Sequence, residues 1–384
     1  MSKHKEGDLD DSSYQRNMIY EILEKAGIVK YRAIVMKSWF ENHRYYHGPK
    51  HLIKIIDNIN ADVDRLKYSA HQHWVLMLAA IFHDIVYNPR EYGGENERNS
   101  AKLAEKIMRG EGASDKNGTT HGEVISDEII AEVVDIILFT TYDSPNIPGT
   151  AMQEKFMYYD IYDMVHGDMA TLLENDRMIF KEFGHVDYTI YRENRSKVLE
   201  KFTPAVKRFA SALEFDDIST YNEYIEAVKT LRPRIAVYPG TFNPMHVGHL
   251  NIIKKAERIF DKVIVCFALN PDKQLSTVTD LHIMDLIDGP LCNTQIDVFD
   301  GLLTDYIKSK DYPLTIIKGL RNGADLESEK TQLRYMEDMV EDNGEPKINI
   351  CYILADREFE HVSSSGIRAI KKIKAAKSDR YEII

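Results

Sequence analysis

The sequence predicts a two-domain protein, with an α-helical bundle followed by an α/β domain built on a doubly wound parallel sheet. The first observation is length, because 384 residues exceed the roughly 100 to 200 residues of a typical domain. The second is apolar residues at three- and four-residue spacing from about residue 14 to 213, as in amphipathic helices. The third is a series of short β-branched runs after Pro233, which alternate with amphipathic stretches as parallel strands alternate with crossover helices.

Several stretches of the first half have the helical period. They are "NMIYEILEKAGI", "KHLIKIIDNINADVDRL", "HWVLMLAAIFHD", "NSAKLAEKIM" and "DEIIAEVVDIILFT". We assign residues 1–13 to a polar tail and residues 14–213 to a helical domain. The stretch 214–232, "EFDDISTYNEYIEAVKTLR", is predicted to be a connecting helix.

The second half has the strand-like runs. They are "RIAVY", "KVIVCFAL", "QIDVF", "LTIIKG" and "INICYIL". The amphipathic stretches between them predict crossover helices, so we assign residues 233–384 to the α/β domain. Cys266, Cys292 and Cys351 are an odd number and form no disulfide framework; Cys266 and Cys351 lie in strand-like runs and are expected to be reduced core residues.

Composition limits the functional classes. The longest apolar run, "WVLMLAAIF" at 74–82, is about half of what a membrane span needs, and the polar N-terminus lacks the apolar core of a signal peptide. We therefore expect a cytoplasmic protein without a membrane partner. A net charge of −12 disfavours general binding to nucleic acid, because neutralising phosphates takes an excess of Lys and Arg. Small molecules are the expected partners.

The segment "YPGTFNPMHVGHLNII" at 238–253 connects a predicted strand to a predicted helix. This arrangement puts backbone N–H groups and the positive end of a helix dipole at the carboxyl edge of a parallel sheet, where phosphates are favoured. His246 and His249 can donate to phosphate oxygens, and Gly248 lets a ligand approach the backbone closely. For this motif alone, a turn with incidental histidines is the alternative.

Other segments of the second half complete a pattern. They are "NPDK" at 270–273, "FDGLLTDY" at 299–306, "KGLRNGADLESE" at 318–329 and "VSSSGIR" at 362–368. With "YPGTFNPMHVGH", and in this order, residues 234 to 373 resemble the Rossmann-like nucleotidyltransferases that carry the HxGH signature. The resemblance is strongest to the phosphopantetheine adenylyltransferases.

This resemblance implies that AMP passes from ATP to a phosphorylated acceptor, 4'-phosphopantetheine, with Mg²⁺ present and pyrophosphate released, in a homo-oligomer. It implies a catalytic group of Thr241, His246, His249 and Lys273. It implies a nucleotide- and phosphate-binding group of Gly240, Phe242, Lys318, Gly319, Arg321, Asp325, Glu329, Ser363, Ser364, Ser365 and Arg368. Leu302 and Leu303 are implied on the acceptor side. Such a site needs no protein nucleophile, so positioning and charge neutralisation supply the catalysis.

Two residues depart from the family pattern. Lys318 stands where the family usually has arginine, and a lysine holds phosphate as a point charge instead of a bidentate fork. His246 stands where threonine is frequent, a choice more familiar in nicotinamide mononucleotide adenylyltransferases. Nicotinamide mononucleotide as acceptor, or CTP as nucleotide, are therefore the alternatives.

The first half contains "YYHGPKHL" at 45–52 and "FHDIVYNP" at 82–89. Pro49 suits the first turn of a helix, which places His51 just inside that helix and His47 just outside it. His83 and Asp84 end an apolar helix, and a buried face accepts them only if both are satisfied. One solution is a divalent metal such as Mn²⁺, Fe²⁺ or Zn²⁺, which lowers the pKa of bound water.

The surrounding segments resemble the HD-domain metal-dependent phosphohydrolases over about residues 40 to 205. They are "RYYHGPKH", "AAIFHDIVYNPR", "NERNSAKLAE" and "EFGHVDYTIYRENRSKVLEKF". The resemblance implies hydrolysis of a nucleotide or related phosphoester, with the metal ligands His51, His83, Asp84 and Asp160. Asp163, one turn on, is the alternative to Asp160.

The same resemblance implies a substrate pocket lined by His47, Glu97 and Arg192. Tyr142 departs from the pattern, because relatives often show histidine there. A helical half that senses nucleotides or binds a partner without turnover is the alternative function.

Overall fold

The computed structural model describes residues 11–111, 125–142, 147–212, 218–269, 293–338, 349–373 and 380–383. The chain divides into two compact units. The first comprises Met1–Ile179 and Asn194–Lys229, and the second comprises Phe180–Glu193 and Thr230–Ile384.

The predicted helical character of the N-terminal region is confirmed. Its helices are α1 (Asp11–Lys25), α2 (Arg32–Trp39), α3 (Pro49–Asp62), α4 (Ala70–Phe82), α5 (Glu95–Met108), α6 (Asp127–Phe139), α7 (Ala151–Asp160), α8 (Tyr162–Val165), α9 (Met169–Glu182), α10 (Tyr188–Ala212) and α11 (Ser219–Thr230). Sequence signals fix several ends: Pro49 occupies the first turn of α3, and Ser69 and Gln72 form a capping box on α4. In α6 the buried Ile130, Val133 and Ile137 repeat at helical spacing and face the core.

The predicted parallel sheet with helices is also confirmed. Its strands are β1 (Ile235–Gly240), β2 (Lys262–Leu269), β3 (Thr294–Asp300), β4 (Leu314–Leu320) and β5 (Asn349–Leu354). Its helices are α12 (Val247–Ile259), α13 (Leu303–Lys308), α14 (Gly323–Asp338) and α15 (Ser364–Lys371). All strand pairs are parallel in the order β3-β2-β1-β4-β5, so the chain order reverses between β1 and β4. In such a sheet, ligands bind outside the carboxyl ends of the strands at this reversal.

The second unit includes a segment that the sequence assigns to the helical domain. Residues 180–193 join it through Lys262, which is fully buried and donates from Nζ to the Val186 carbonyl. Asp187 accepts hydrogen bonds from Tyr312 (3.2 Å) and Lys310 (3.5 Å). The predicted domain boundaries therefore differ from the division of the structure at this segment.

Two compositional expectations concern the core and the membrane. Cys266 is buried and Cys351 half-buried, and both are free thiols, whereas Cys292 lies outside the described residues. Across the part of the chain that the structure describes, no helix is both long enough and apolar enough to pass through a bilayer.

Candidate functional site

A cavity of about 350 Å³ lies at the carboxyl ends of β1 and β4 in the second unit. Residues predicted from three separate motifs line it: His246, Gly248, His249, Gly319, Arg321, Asp325, Glu329, Ser363 and Ser364. The cavity therefore occupies the place where the strand order reverses, and it brings the histidine loop together with two later motifs.

His246 and His249 form a reciprocal cap at the start of α12. The His249 backbone N–H donates to His246 Nδ1 (3.4 Å), and the His246 N–H donates to His249 Nδ1 (3.3 Å). The two rings stack with centroids 3.6 Å apart. Gly248 lies against them, and an added Cβ there would make a tight contact of 3.1 Å with the His246 ring. The two signature histidines thus cap the first turn of α12 and also line the cavity.

This cap determines which ring nitrogens carry protons. A nitrogen that accepts from an N–H group is unprotonated, so each neutral ring carries its hydrogen on Nε2. Burial and the nearby Arg321 lower the pKa of His246 to about 4, and burial and His246 lower the pKa of His249 to about 3. Near neutral pH, both rings are therefore uncharged donors through Nε2–H.

Two cations of the cavity region are already paired with carboxylates. Arg321 contacts both oxygens of Asp325, with Nε–Oδ2 at 2.9 Å and Nη2–Oδ1 at 2.8 Å. Lys318 Nζ lies 2.8 Å from Glu329 Oε2. Gly319 between them allows close packing, since an added Cβ would come within 3.0 Å of Ile252. The carboxylates hold both cations in place before a ligand binds.

A second helix start contributes the serine motif. Ser363 caps α15 by accepting from the Gly366 N–H (3.1 Å), and Ser364 Oγ donates to the Pro244 carbonyl (3.0 Å). Arg368 donates to the Asn243 carbonyl and to Ser365 Oγ. The amides of this helix start and those of α12 form the kind of positive environment in which phosphate groups bind.

The loop between β1 and α12 places the other residues of the first motif. The Phe242 ring contacts the His249 ring edge-on, with ring centroids 5.0 Å apart. The backbone of Phe242 has a left-handed φ of 42°. Gly240 lies under this ring, because a Cβ there would be 2.8 Å from it. Thr241 is exposed, and neither Thr241 nor Arg368 belongs to the cavity lining.

Two further predicted residues, Leu302 and Leu303, lie elsewhere. Leu302 is exposed and, with Leu303, lies at the start of α13 beyond the carboxyl end of β3, outside the cavity lining. Lys273 lies outside the described residues.

Sequence reasoning missed part of the cavity wall. Tyr238, Ile252, Ser328, Phe359 and Val362 also line it. Tyr238 carried a usable signal, because it stands near the carboxyl end of β1 where ligands bind in such sheets. Ile252, Phe359 and Val362 are apolar and cannot be distinguished from core residues by sequence, and Ser328 is one polar residue among several on α14.

A second cluster lies in the first unit, where three of the four predicted metal ligands meet. His51, His83 and Asp160 offer ligand atoms that all lie within 4.8 Å of one another. Asp160 Oδ1 is 3.3 Å from His51 Nε2 and 3.4 Å from His83 Nε2. Asp84 Oδ2 lies 3.2 Å from His83 Nε2. Of the two aspartates considered, it is Asp160 that contributes to this group of ligand atoms.

The donor set fits one divalent ion. Ligands about 2.1 Å from a tetrahedral zinc lie about 3.4 Å from each other, close to the two distances from Asp160 Oδ1. His83 Nδ1 donates to the Ala80 carbonyl (2.9 Å), which leaves the lone pair of a neutral ring on Nε2. That Nε2 is buried and makes no well-aligned hydrogen bond within the described structure.

Charge in this cluster follows from burial and pairing. Burial alone would raise the pKa of Asp160, but His51 and His83 lower it well below its ordinary range. Burial likewise opposes ionisation of Asp84, and His83 overcomes it. The pKa of His83 is raised, because Asp84 and Asp160 outweigh its own burial. Two carboxylates therefore stay ionised in a buried place.

The predicted pocket residues divide between the units. The His47 ring stacks on Tyr87 with ring centroids 4.5 Å apart, and it contacts His51 edge-on. Burial raises the pKa of Tyr142, and the charge of Glu97 adds to this effect. Arg192 belongs to the second unit, where it pairs with Asp311 (2.9 Å). Sequence reasoning missed Arg44, a buried residue that donates to the carbonyls of His47 and Asp84.

Known proteins resemble the second unit in sequence. A cytidylyltransferase-like family model matches residues 237–370. The phosphopantetheine adenylyltransferase of Clostridium novyi (strain NT) is 36% identical over 139 residues, which cover 36% of this chain and 83% of that protein. The enzyme of the same name from Alkaliphilus metalliredigens (strain QYMF) is 33% identical over 148 residues, 38% of this chain and 90% of that protein. The one from Chloroflexus aurantiacus is 32% identical over 142 residues, 36% of this chain and 84% of that protein.

The matched residues span the sheet, the histidine cap and the start of α15, which together build the cavity. Through its C-terminal domain, the chain therefore belongs to the phosphopantetheine adenylyltransferase family of nucleotidyltransferases.

Proposed function

We propose that the chain is a bifunctional enzyme whose C-terminal domain transfers AMP from ATP to 4'-phosphopantetheine. The observation that carries this is the shared cavity, in which two neutral histidines, a clamped arginine and two helix starts surround one space. The names of the relatives support the acceptor. Nicotinamide mononucleotide and CTP remain the alternatives to test, because His246 and Lys318 depart from the family pattern.

In the proposed reaction, an oxygen of the acceptor phosphate attacks the α-phosphorus of ATP, and the bond to the bridging oxygen of pyrophosphate breaks. The Nε2–H groups of His246 and His249 donate to phosphate oxygens at the reaction centre. Arg321 and the amides at the start of α15 hold the leaving phosphates. Since these groups are fixed before binding, they stabilise the added charge without rearranging.

Mg²⁺ enters this site as part of the MgATP substrate. Asp325 and Glu329, the acidic residues lining the described cavity, are paired with Arg321 and Lys318. Mg²⁺ is commonly bound through substrate phosphates and water, so it needs no dedicated protein cage.

The test is pyrophosphate release by the full chain with ATP or CTP and each acceptor in turn. We expect release only with ATP and 4'-phosphopantetheine. Arg321→Ala should lower kcat/KM about 100-fold, since a fixed donor to a charged transition state is lost. His73→Gln, a change in the first unit, is the control. Release with nicotinamide mononucleotide but not with 4'-phosphopantetheine would contradict the acceptor assignment.

We further propose that the helical unit is a metal-dependent phosphohydrolase of the HD type. The observation that favours this is the group of His51, His83 and Asp160, whose spacing suits one divalent ion, with Asp84 3.2 Å from His83 Nε2. When bound, the ion supplies a hydroxide from its bound water. His51, His83 and Asp160 hold it, while Arg44 fixes the backbone of His47 and Asp84. His47 and Glu97 are proposed to orient a phosphoester and water.

Metal analysis of the purified chain and a panel of nucleotides and phosphoesters test this second activity. We expect Mn²⁺-, Fe²⁺- or Zn²⁺-dependent release of phosphate that His83→Ala abolishes. Bound metal without turnover of any compound would favour the sensing or interaction module instead. A chain that binds no divalent ion would contradict the proposed hydrolase.

A further inference from the structure

Tyr142 contacts the proposed metal group from outside the predicted ligands. Its hydroxyl donates to Asp160 Oδ2 at 2.5 Å, while Oδ1 of the same carboxylate faces His51 and His83. The two oxygens of Asp160 therefore have different partners.

The position of Tyr142 is fixed by its surroundings. Its ring contacts Phe139 and Phe202 edge-on, with centroids 5.6 Å and 5.3 Å apart. Its backbone has a φ of 48°, in the left-handed region that a bulky side chain seldom adopts. Unfavourable backbone conformations of this kind persist where the surrounding structure enforces them, often at functional sites.

We propose that Tyr142 is a positioning residue that fixes Asp160 as a one-oxygen ligand and limits the centre to a single ion. This inference rests on the proposed metal centre. A carboxylate that bridges two ions with one oxygen on each needs both oxygens free, and two-metal centres place the ions about 3.5 to 4 Å apart. Here Oδ2 is bound by the hydroxyl, so only Oδ1 is directed at the two imidazoles. Outer hydrogen bonds of this kind orient metal ligands.

The experiment is a Co²⁺ titration of the full chain. Calorimetry measures the affinity and the number of bound ions, and visible absorption reports the coordination of the bound ion. For the unaltered chain we expect one ion per chain, and none at this centre in His83→Ala, which reports any binding elsewhere. Tyr142→Phe keeps the ring and removes the hydroxyl. It should weaken Co²⁺ binding about 10- to 100-fold and shift the absorption bands, since Asp160 is then free to rotate.

Tyr221→Phe is the matched control, because it removes a buried hydroxyl of the same unit that bonds the Leu199 carbonyl. Its Co²⁺ affinity and spectrum should equal those of the unaltered chain, and circular dichroism verifies that each variant is folded. Two ions per chain at this centre, or unchanged binding and spectrum in Tyr142→Phe, would overturn the inference on Tyr142 alone. Failure of the unaltered chain to bind Co²⁺ would overturn the metal centre as well.

Discussion

Each signature histidine uses one ring nitrogen to hold the backbone and keeps the other for a ligand. Because Nδ1 of both His246 and His249 accepts a backbone N–H, a substitution can separate the cap from the donor. His246→Asn retains an oxygen that caps the helix but has no Nε2–H group. We expect this variant to keep its thermal stability and to lose about 100-fold in kcat/KM for pyrophosphate release.

His246→Ala is the companion variant, because it removes the cap as well as the donor. It should lose activity to a similar degree and, in addition, about 1 kcal/mol in the free energy of unfolding. Thermal denaturation and steady-state kinetics on the two variants provide the comparison. Full activity in His246→Asn would mean that the second nitrogen of His246 does not serve the reaction.

At the scale of elements, the sequence predicted what is periodic. The strand β2 coincides with "KVIVCFAL", and α6 ends within one residue of "DEIIAEVVDIILFT", because a continuous apolar run and a helical repeat are both local patterns. The position of the cavity was predictable from the pattern of strands, because the carboxyl ends of parallel strands lie at one edge of the sheet. The capping role of the histidines was not predictable, because histidine is an uncommon cap and its ring direction depends on α12 being formed.

Pairings between distant segments were also beyond the sequence. The Val247 N–H donates to the Tyr381 carbonyl and the Ile383 N–H donates to the Met245 carbonyl, so the end of the chain supports the histidine loop. This contact is an isolated antiparallel bridge between His246 and Glu382, which is too short to produce a strand period in the sequence. Such contacts form only in the folded protein. They stabilise the histidine loop, although residues 380–383 belong to none of the predicted motifs.

At the scale of the whole molecule, Lys262 is one of the residues that join residues 180–193 to the rest of the second unit. It is fully buried, and burial lowers its pKa from 10.5 to about 7, although Asp187 opposes this. Between about pH 7 and pH 10 the unfolded chain therefore binds a proton that the folded chain does not. The free energy of unfolding should rise with pH in this window, by up to about 1.4 kcal/mol per pH unit from this lysine.

Lys262→Met removes the titrating group while keeping most of the side-chain volume. If the buried lysine causes the slope, this variant should show a smaller rise than the unaltered chain in urea denaturation followed by circular dichroism at pH 7, 8 and 9. Lys330→Met, which alters an exposed lysine of the same unit, should keep the full slope. Equal slopes in all three proteins would show that Lys262 is protonated throughout. Its ammonium would then be a buried charge that donates to the Val186 carbonyl and is stabilised by the nearby charge of Asp187.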